Sequence, residues 1–94
     1  MTVLRELPGH DLFSAGVAEL QAGRRSEAGL LVSLARTRLI QAGLDVPRAA
    51  TDRPSHELYD LLLEQSPTNA HGRYNALLRR IVSFARAAEH EASR

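Results

Sequence analysis

The sequence contains no cysteine, no tryptophan and no lysine among its 94 residues. The lack of cysteine excludes disulfides, thiolate metal sites and thiol nucleophiles. Only two phenylalanines and two tyrosines are present, whereas leucine and alanine are abundant. A core of this composition comes from helices with leucine and alanine faces rather than from aromatic-rich sheets. We therefore predict an all-α protein.

Long apolar runs are also missing. No run approaches the roughly 18 to 20 residues that a membrane-spanning helix needs. Residues 1–6 lack the basic and apolar regions of a signal peptide. We expect a cytoplasmic protein that does not associate with membranes.

The absence of lysine means that all 12 basic residues are arginine. The planar guanidinium group suits bidentate recognition of phosphates and carboxylates. Arginine in place of lysine, together with much alanine, leucine and glycine, is also typical of a GC-rich bacterial genome. The net charge of +1 is well below the basic excess of a dedicated nucleic-acid binder. Arginine content alone therefore favours no class of ligand.

Glycine, proline and capping residues predict four helices, over about residues 11–22, 26–42, 55–65 and 69–89. Asp11 and Ser26 are the expected N-caps of the first two helices. Gly23 and Gly43 are the expected stops, and Gly43 followed by Leu44 is typical of a Schellman motif.

Short links at residues 23–25 and 66–69 predict two antiparallel helix hairpins. The connection over residues 45–54 contains two prolines and no periodicity, and it allows the second hairpin to fold against the first. Residues 1–94 are therefore expected to form one domain. We predict a four-helix up-and-down bundle built from these two hairpins.

The first hairpin, from Leu12 to Ala35, resembles a single tetratricopeptide repeat. The residues that carry this resemblance are Gly16, Ala18, Gly23, Glu27, Ala28 and Ala35. The resemblance implies a tight helix hairpin, and Gly16 permits close approach of the neighbouring helix. It covers about a quarter of the chain, whereas a continuous repeat array needs about three units. It therefore implies no peptide-binding solenoid.

The last predicted helix has an apolar seam and a cationic back. The seam is formed by Ala70, Tyr74, Leu77, Ile81, Phe84 and Ala88. The only charges from residue 70 to residue 88 are those of Arg73, Arg79, Arg80 and Arg86. Helical periodicity places the first and third of these arginines on one edge of the back, and the other two on the opposite edge.

Two interpretations of these arginines remain open. Glu57, Asp60 and Glu64 form an acidic stripe on the preceding helix, and this stripe is expected to pair with one arginine edge. The other edge then stays available to straddle the phosphate backbone of a nucleic acid. The arginines are thus either an internal charge pairing or an interaction surface.

Two weaker candidate sites lie near the second hairpin. Asn69, His71 and Arg73 surround a helix start, where unsatisfied N–H groups favour an anion; the alternative is that Asn69 simply caps the helix. His56 and Asp60 share a helix face, and His71 can approach them from the next helix. These three are the weak candidates for metal ligands, although scattered histidines on helices are more often structural.

Three classes of function follow from these patterns. The expected class is a non-catalytic helical protein-interaction or regulatory module without cofactor, because the leucine-rich helix faces exceed what a small monomer buries. Such a module is expected to self-associate as a homodimer. The alternative is a nucleic-acid-binding protein that uses the arginines of the last helix. The third is a small metal-dependent or hydrolytic enzyme, although no arrangement picks out a nucleophile and a base.

Overall fold

The computed structural model describes residues 4–48 and 51–93. Across these residues the chain forms five α-helices and no strand, which confirms the all-α prediction. The helices are α1 (His10–Gln21), α2 (Glu27–Leu34), α3 (Arg36–Gln41), α4 (Pro54–Gln65) and α5 (Ala70–Ala92). A short 3-10 turn, Leu4–Glu6, precedes α1.

The predicted helix stops are correct. At Gly43 the backbone φ is +91°, and the N–H of Leu44 donates to the carbonyl of Leu39 over 3.1 Å. Gly23, at φ +70°, ends α1 with the same pattern of hydrogen bonds. Both ends are Schellman motifs, in which glycine adopts the left-handed conformation without steric cost.

The helix starts agree with the sequence only in part. Ser26 caps α2, since its hydroxyl accepts a hydrogen bond from the N–H of Gly29 over 3.1 Å. The N-cap of α1, however, is Gly9. The expectation that Asp11 caps this helix was therefore wrong, and Asp11 lies inside its first turn. A glycine is needed at residue 9, because φ is +92° and an added Cβ would lie 3.0 Å from the Cβ of Phe84.

The predicted second helix is interrupted. Instead of one helix over residues 26–42, α2 and α3 meet at Ala35, where φ is −92° and ψ is 8°. The buried Ser33 hydroxyl donates to the carbonyl of Gly29 over 2.9 Å, and hydroxyl bonds of this kind often bend helices. No glycine or proline marks the break, so the sequence pattern did not reveal it.

Helix α2 lies at the centre of the fold and packs against α1, α4 and α5. Its residues 29–33 are all buried, as its nearly continuous apolar sequence predicts. Gly16 of α1 makes the close approach expected of it, because an added Cβ would overlap Val32 and the carbonyl of Ala28.

The core seam of α5 is confirmed. Ala70, Ile81, Phe84 and Ala88 are fully buried or nearly so. Phe84 stacks on Phe13 of α1, with ring centroids 5.1 Å apart. None of the helices in the described parts of the chain combines the length and the apolar character needed to cross a membrane.

Candidate functional site

The back of α5 carries two exposed arginines, Arg79 and Arg86, which we call the arginine edge. They are seven residues apart, so their Cα atoms are separated by about 10 Å along the helix axis and about 20° around it. Within residues 4–48 and 51–93, neither side chain has a hydrogen-bond or ion-pair partner. Both guanidinium groups therefore face solvent with their hydrogen-bond donors uncommitted.

The other two arginines, Arg73 and Arg80, form a paired edge. Nη2 of Arg73 lies 2.7 Å from Oε1 of Glu27 on α2, and its Nη1 donates to Oε1 of Gln65 over 3.0 Å. Nη2 of Arg80 lies 3.7 Å from Oδ2 of Asp11 on α1. Arg73 is therefore paired closely with α2, and Arg80 is paired more loosely with α1.

The acidic stripe of α4 does not provide the partners expected of it. Glu57 lies 3.9 Å from Arg25, and Asp60 lies 3.6 Å from His56, so neither reaches α5. Helix α4 packs instead on the aromatic flank of α5, where Tyr74 meets Tyr59 at a centroid distance of 5.4 Å. The division into one paired and one unpaired edge was anticipated, but the partner acids were assigned to the wrong helix.

A hollow of about 290 Å³ adjoins the arginine edge where the turn before α1 crosses α5. It is lined by Pro8, Gly9, Arg79, Arg80 and Ser83. The two guanidinium groups and the hydroxyl of Ser83 are all groups that donate hydrogen bonds to phosphate oxygens. The hollow extends the cationic surface from the helix back onto the turn.

The predicted anion site at the start of α5 is not assembled as a set of free donors. The side chain of Asn69 makes no capping bond, and its Nδ2 donates to Oγ of Ser66 over 3.3 Å. Nε2 of His71 lies 3.2 Å from Nδ2 of Asn75. Arg73 is engaged by acceptors on two other helices. Each of the three predicted residues is therefore directed to a separate partner.

The weak metal candidates are not gathered around one point. Nε2 of His56 lies 3.6 Å from Oδ2 of Asp60, and both side chains are well exposed. His71 lies edge-on against the ring of Tyr59, with centroids 6.4 Å apart. Where the structure describes the chain, no three histidine, cysteine, aspartate or glutamate side chains are placed to hold a metal ion.

A larger cleft was missed at the sequence level. It has a volume of about 400 Å³ and lies where the turn between α1 and α2 meets the body of α2 and the start of α4. Its lining comprises Leu20, Gly23, Arg24, Arg25, Gly29, Leu30, Ser33, Arg48, Thr51 and Glu57. The adjacent Arg24 and Arg25 are a local signal for it, but the cleft joins segments that are distant in the chain.

Comparison with protein families, curated proteins and solved structures found no significant match. The functional argument therefore depends on the geometry of these surfaces.

Proposed function

We propose that this chain is a non-catalytic helical interaction module, and that its arginine edge binds the phosphate backbone of a nucleic acid. The observation that carries the proposal is the contrast between the two edges of α5. Arg73 is bound to Glu27 over 2.7 Å and Arg80 lies 3.7 Å from Asp11, whereas Arg79 and Arg86 are exposed and unpaired within the described residues.

The shape of the α5 surface supports a backbone contact. The exposed residues beside Arg79 are small, namely Gly72, Ala76 and Ser83, whereas Glu89 and His90 are exposed on the turn after Arg86. Small side chains let a phosphodiester strand approach the helix without steric hindrance. Guanidinium groups form short, charge-assisted bonds to phosphate oxygens, and each neutralised phosphate releases counterions. Because phosphate contacts carry no direct sequence information, we expect weak sequence preference.

A binding titration tests this proposal. A short fluorescently labelled duplex and a single strand are titrated with the protein at low salt, and anisotropy reports the dissociation constant. The double variant Arg79→Ala, Arg86→Ala is expected to bind about tenfold more weakly, because two guanidinium–phosphate contacts are lost. The control variant Arg24→Ala, Arg53→Ala makes the same change in net charge at exposed positions away from α5. Equal affinity in the two variants would contradict the proposal.

Self-association is the second candidate, favoured by two exposed apolar side chains. Leu63 on α4 is 37% exposed and Ile40 on α3 is 42% exposed. The other leucine-rich surface is largely used within the chain, since Leu58 and Leu62 are fully buried. A second copy of the chain is the partner that we propose to cover Leu63 and Ile40.

Sedimentation equilibrium at low and high salt tests self-association. An apolar dimer is insensitive to salt, and the variants Leu63→Glu and Ile40→Glu are expected to convert it to monomer. A monomer at both salt concentrations across the micromolar range would contradict this second candidate.

We also infer that α2 and α3 together take the place of one helix in a four-helix up-and-down bundle. This arrangement is supported by the packing of successive helices, since α1 packs on α2, α2 on α4, and α4 on α5.

A further inference from the structure

The cleft beside the α1–α2 turn combines an apolar floor with a cationic rim. The floor is formed by Leu20, Leu30 and the buried Gly29, which adds no side chain to the space. The rim carries Arg24, Arg25 and Arg48. This surface shares no residue with the arginine edge.

The three rim arginines differ in how strongly the chain engages them. Nε of Arg24 lies 2.8 Å from Oε2 of Glu19, which is a close ion pair. Arg25 reaches Glu57 only at 3.9 Å. Arg48 has no partner among the residues that the structure describes. Arg25 and Arg48 therefore retain most of their capacity to bind an anion.

The dimensions and chemistry of the cleft define one class of occupant. Its volume of about 400 Å³ lies within the roughly 300 to 1,000 Å³ typical of small-molecule sites, which are mainly apolar with a few polar groups. We propose that it binds a small aliphatic carboxylate. The apolar chain lies on Leu20 and Leu30, and the carboxylate meets the guanidinium groups of Arg25 and Arg48.

Glu57 gives the proposal a second, opposite prediction. Its carboxylate also lines the cleft, and its Oε1 lies 3.9 Å from Nε of Arg25. Glu57 therefore competes with a bound carboxylate for the guanidinium group of Arg25. Its negative charge also repels the bound carboxylate. Removing the negative charge of Glu57 is expected to tighten binding, whereas removing the rim arginines is expected to weaken it.

The experiment is an isothermal titration of the intact chain with octanoate, followed by octanol and octyl phosphate at equal chain length. Octanoate is expected to bind, and octanol to bind at least tenfold more weakly because it lacks the charge. The variant Arg25→Ala, Arg48→Ala is expected to lose tenfold or more in octanoate affinity, and Glu57→Gln to gain severalfold. Arg79→Ala, Arg86→Ala is the matched control and is expected to bind octanoate like the wild type.

Each alternative result overturns the proposal in a distinct way. No measurable octanoate binding would show that the cleft is not a carboxylate site. Equal affinity for octanol and octanoate would show that the arginines do not contribute to binding. Unchanged affinity in Arg25→Ala, Arg48→Ala places the ligand elsewhere. Much tighter binding of octyl phosphate than of octanoate assigns the site to phosphate esters instead of carboxylates. None of these outcomes bears on the arginine edge, so the two proposals fail independently.

Discussion

Nη2 of Arg73 lies 2.7 Å from Oε1 of Glu27, and this bond joins residues 46 positions apart in the chain. It ties the first turns of α2 and α5 together, and it agrees with the rotation of α5 that buries Ile81 and Phe84 in the core. Because Arg73 lies on the paired edge, helical periodicity places Arg79 and Arg86 on the side of α5 that faces solvent. The ion pair thus supports the helix orientation that exposes the surface we propose for binding.

Loss of this ion pair is expected to lower stability modestly. Glu27 and Arg73 have side chains that are 28% and 39% exposed, so solvent screens the pair only in part. We expect Glu27→Gln to reduce the free energy of unfolding by about 1 kcal/mol. A double-mutant cycle with Arg73→Gln, measured by urea denaturation, isolates the coupling between the two side chains. A coupling energy near zero would show that the contact does not hold α5 in place.

Two glycine substitutions are expected to have opposite effects. In Gly16→Ala the new methyl group collides with Val32 and with the carbonyl of Ala28, and overpacking of this kind costs about 1 to 3 kcal/mol. In Gly72→Ala nothing lies within 4 Å of the added Cβ, so the gain in helix propensity is expected to stabilise the protein by about 0.5 kcal/mol. Thermal unfolding of both variants measures the difference. Similar melting temperatures would contradict the close packing of α1 on α2.

Ser26 and Asn69, two of the residues that the sequence offered as helix caps, are expected to respond differently to alanine. Ser26→Ala removes the hydrogen bond to the N–H of Gly29 and is expected to cost about 1 kcal/mol. Asn69→Ala removes no capping bond, because the side chain of Asn69 makes none, and is expected to cost less than about 0.5 kcal/mol. Denaturant midpoints of the two variants provide the comparison. An equal loss in both would indicate that Asn69 caps α5 in solution.

Local sequence signals predicted where most helices begin and end, but they did not predict which residues of different helices make contact. Gly23 and Gly43 marked two helix ends, because left-handed backbone at a helix end strongly favours glycine. The break at Ala35 had no such mark, since it accompanies a serine hydroxyl bond that only the fold reveals. Periodicity therefore gives the position of a helix more reliably than its continuity.

Only the features of the candidate site that lie within one helix could be predicted from the sequence. The spacing of the α5 arginines separated them into two edges without knowledge of the fold. The acids that contact the paired edge are Glu27 of α2 and Asp11 of α1. No sequence pattern links these two residues to α5. The cleft beside Arg48 lay beyond sequence analysis for the same reason, because it is assembled from three separated segments.

The dependence of nucleic-acid affinity on salt tests the central claim most directly. The logarithm of the binding constant is measured against the logarithm of salt concentration for the wild type and for the two arginine double variants. We predict that Arg79→Ala, Arg86→Ala lowers the magnitude of the slope by about 2, close to one unit for each lost phosphate contact, and that Arg24→Ala, Arg53→Ala leaves the slope unchanged. Identical slopes for the wild type and Arg79→Ala, Arg86→Ala would show that the arginine edge does not contact phosphates.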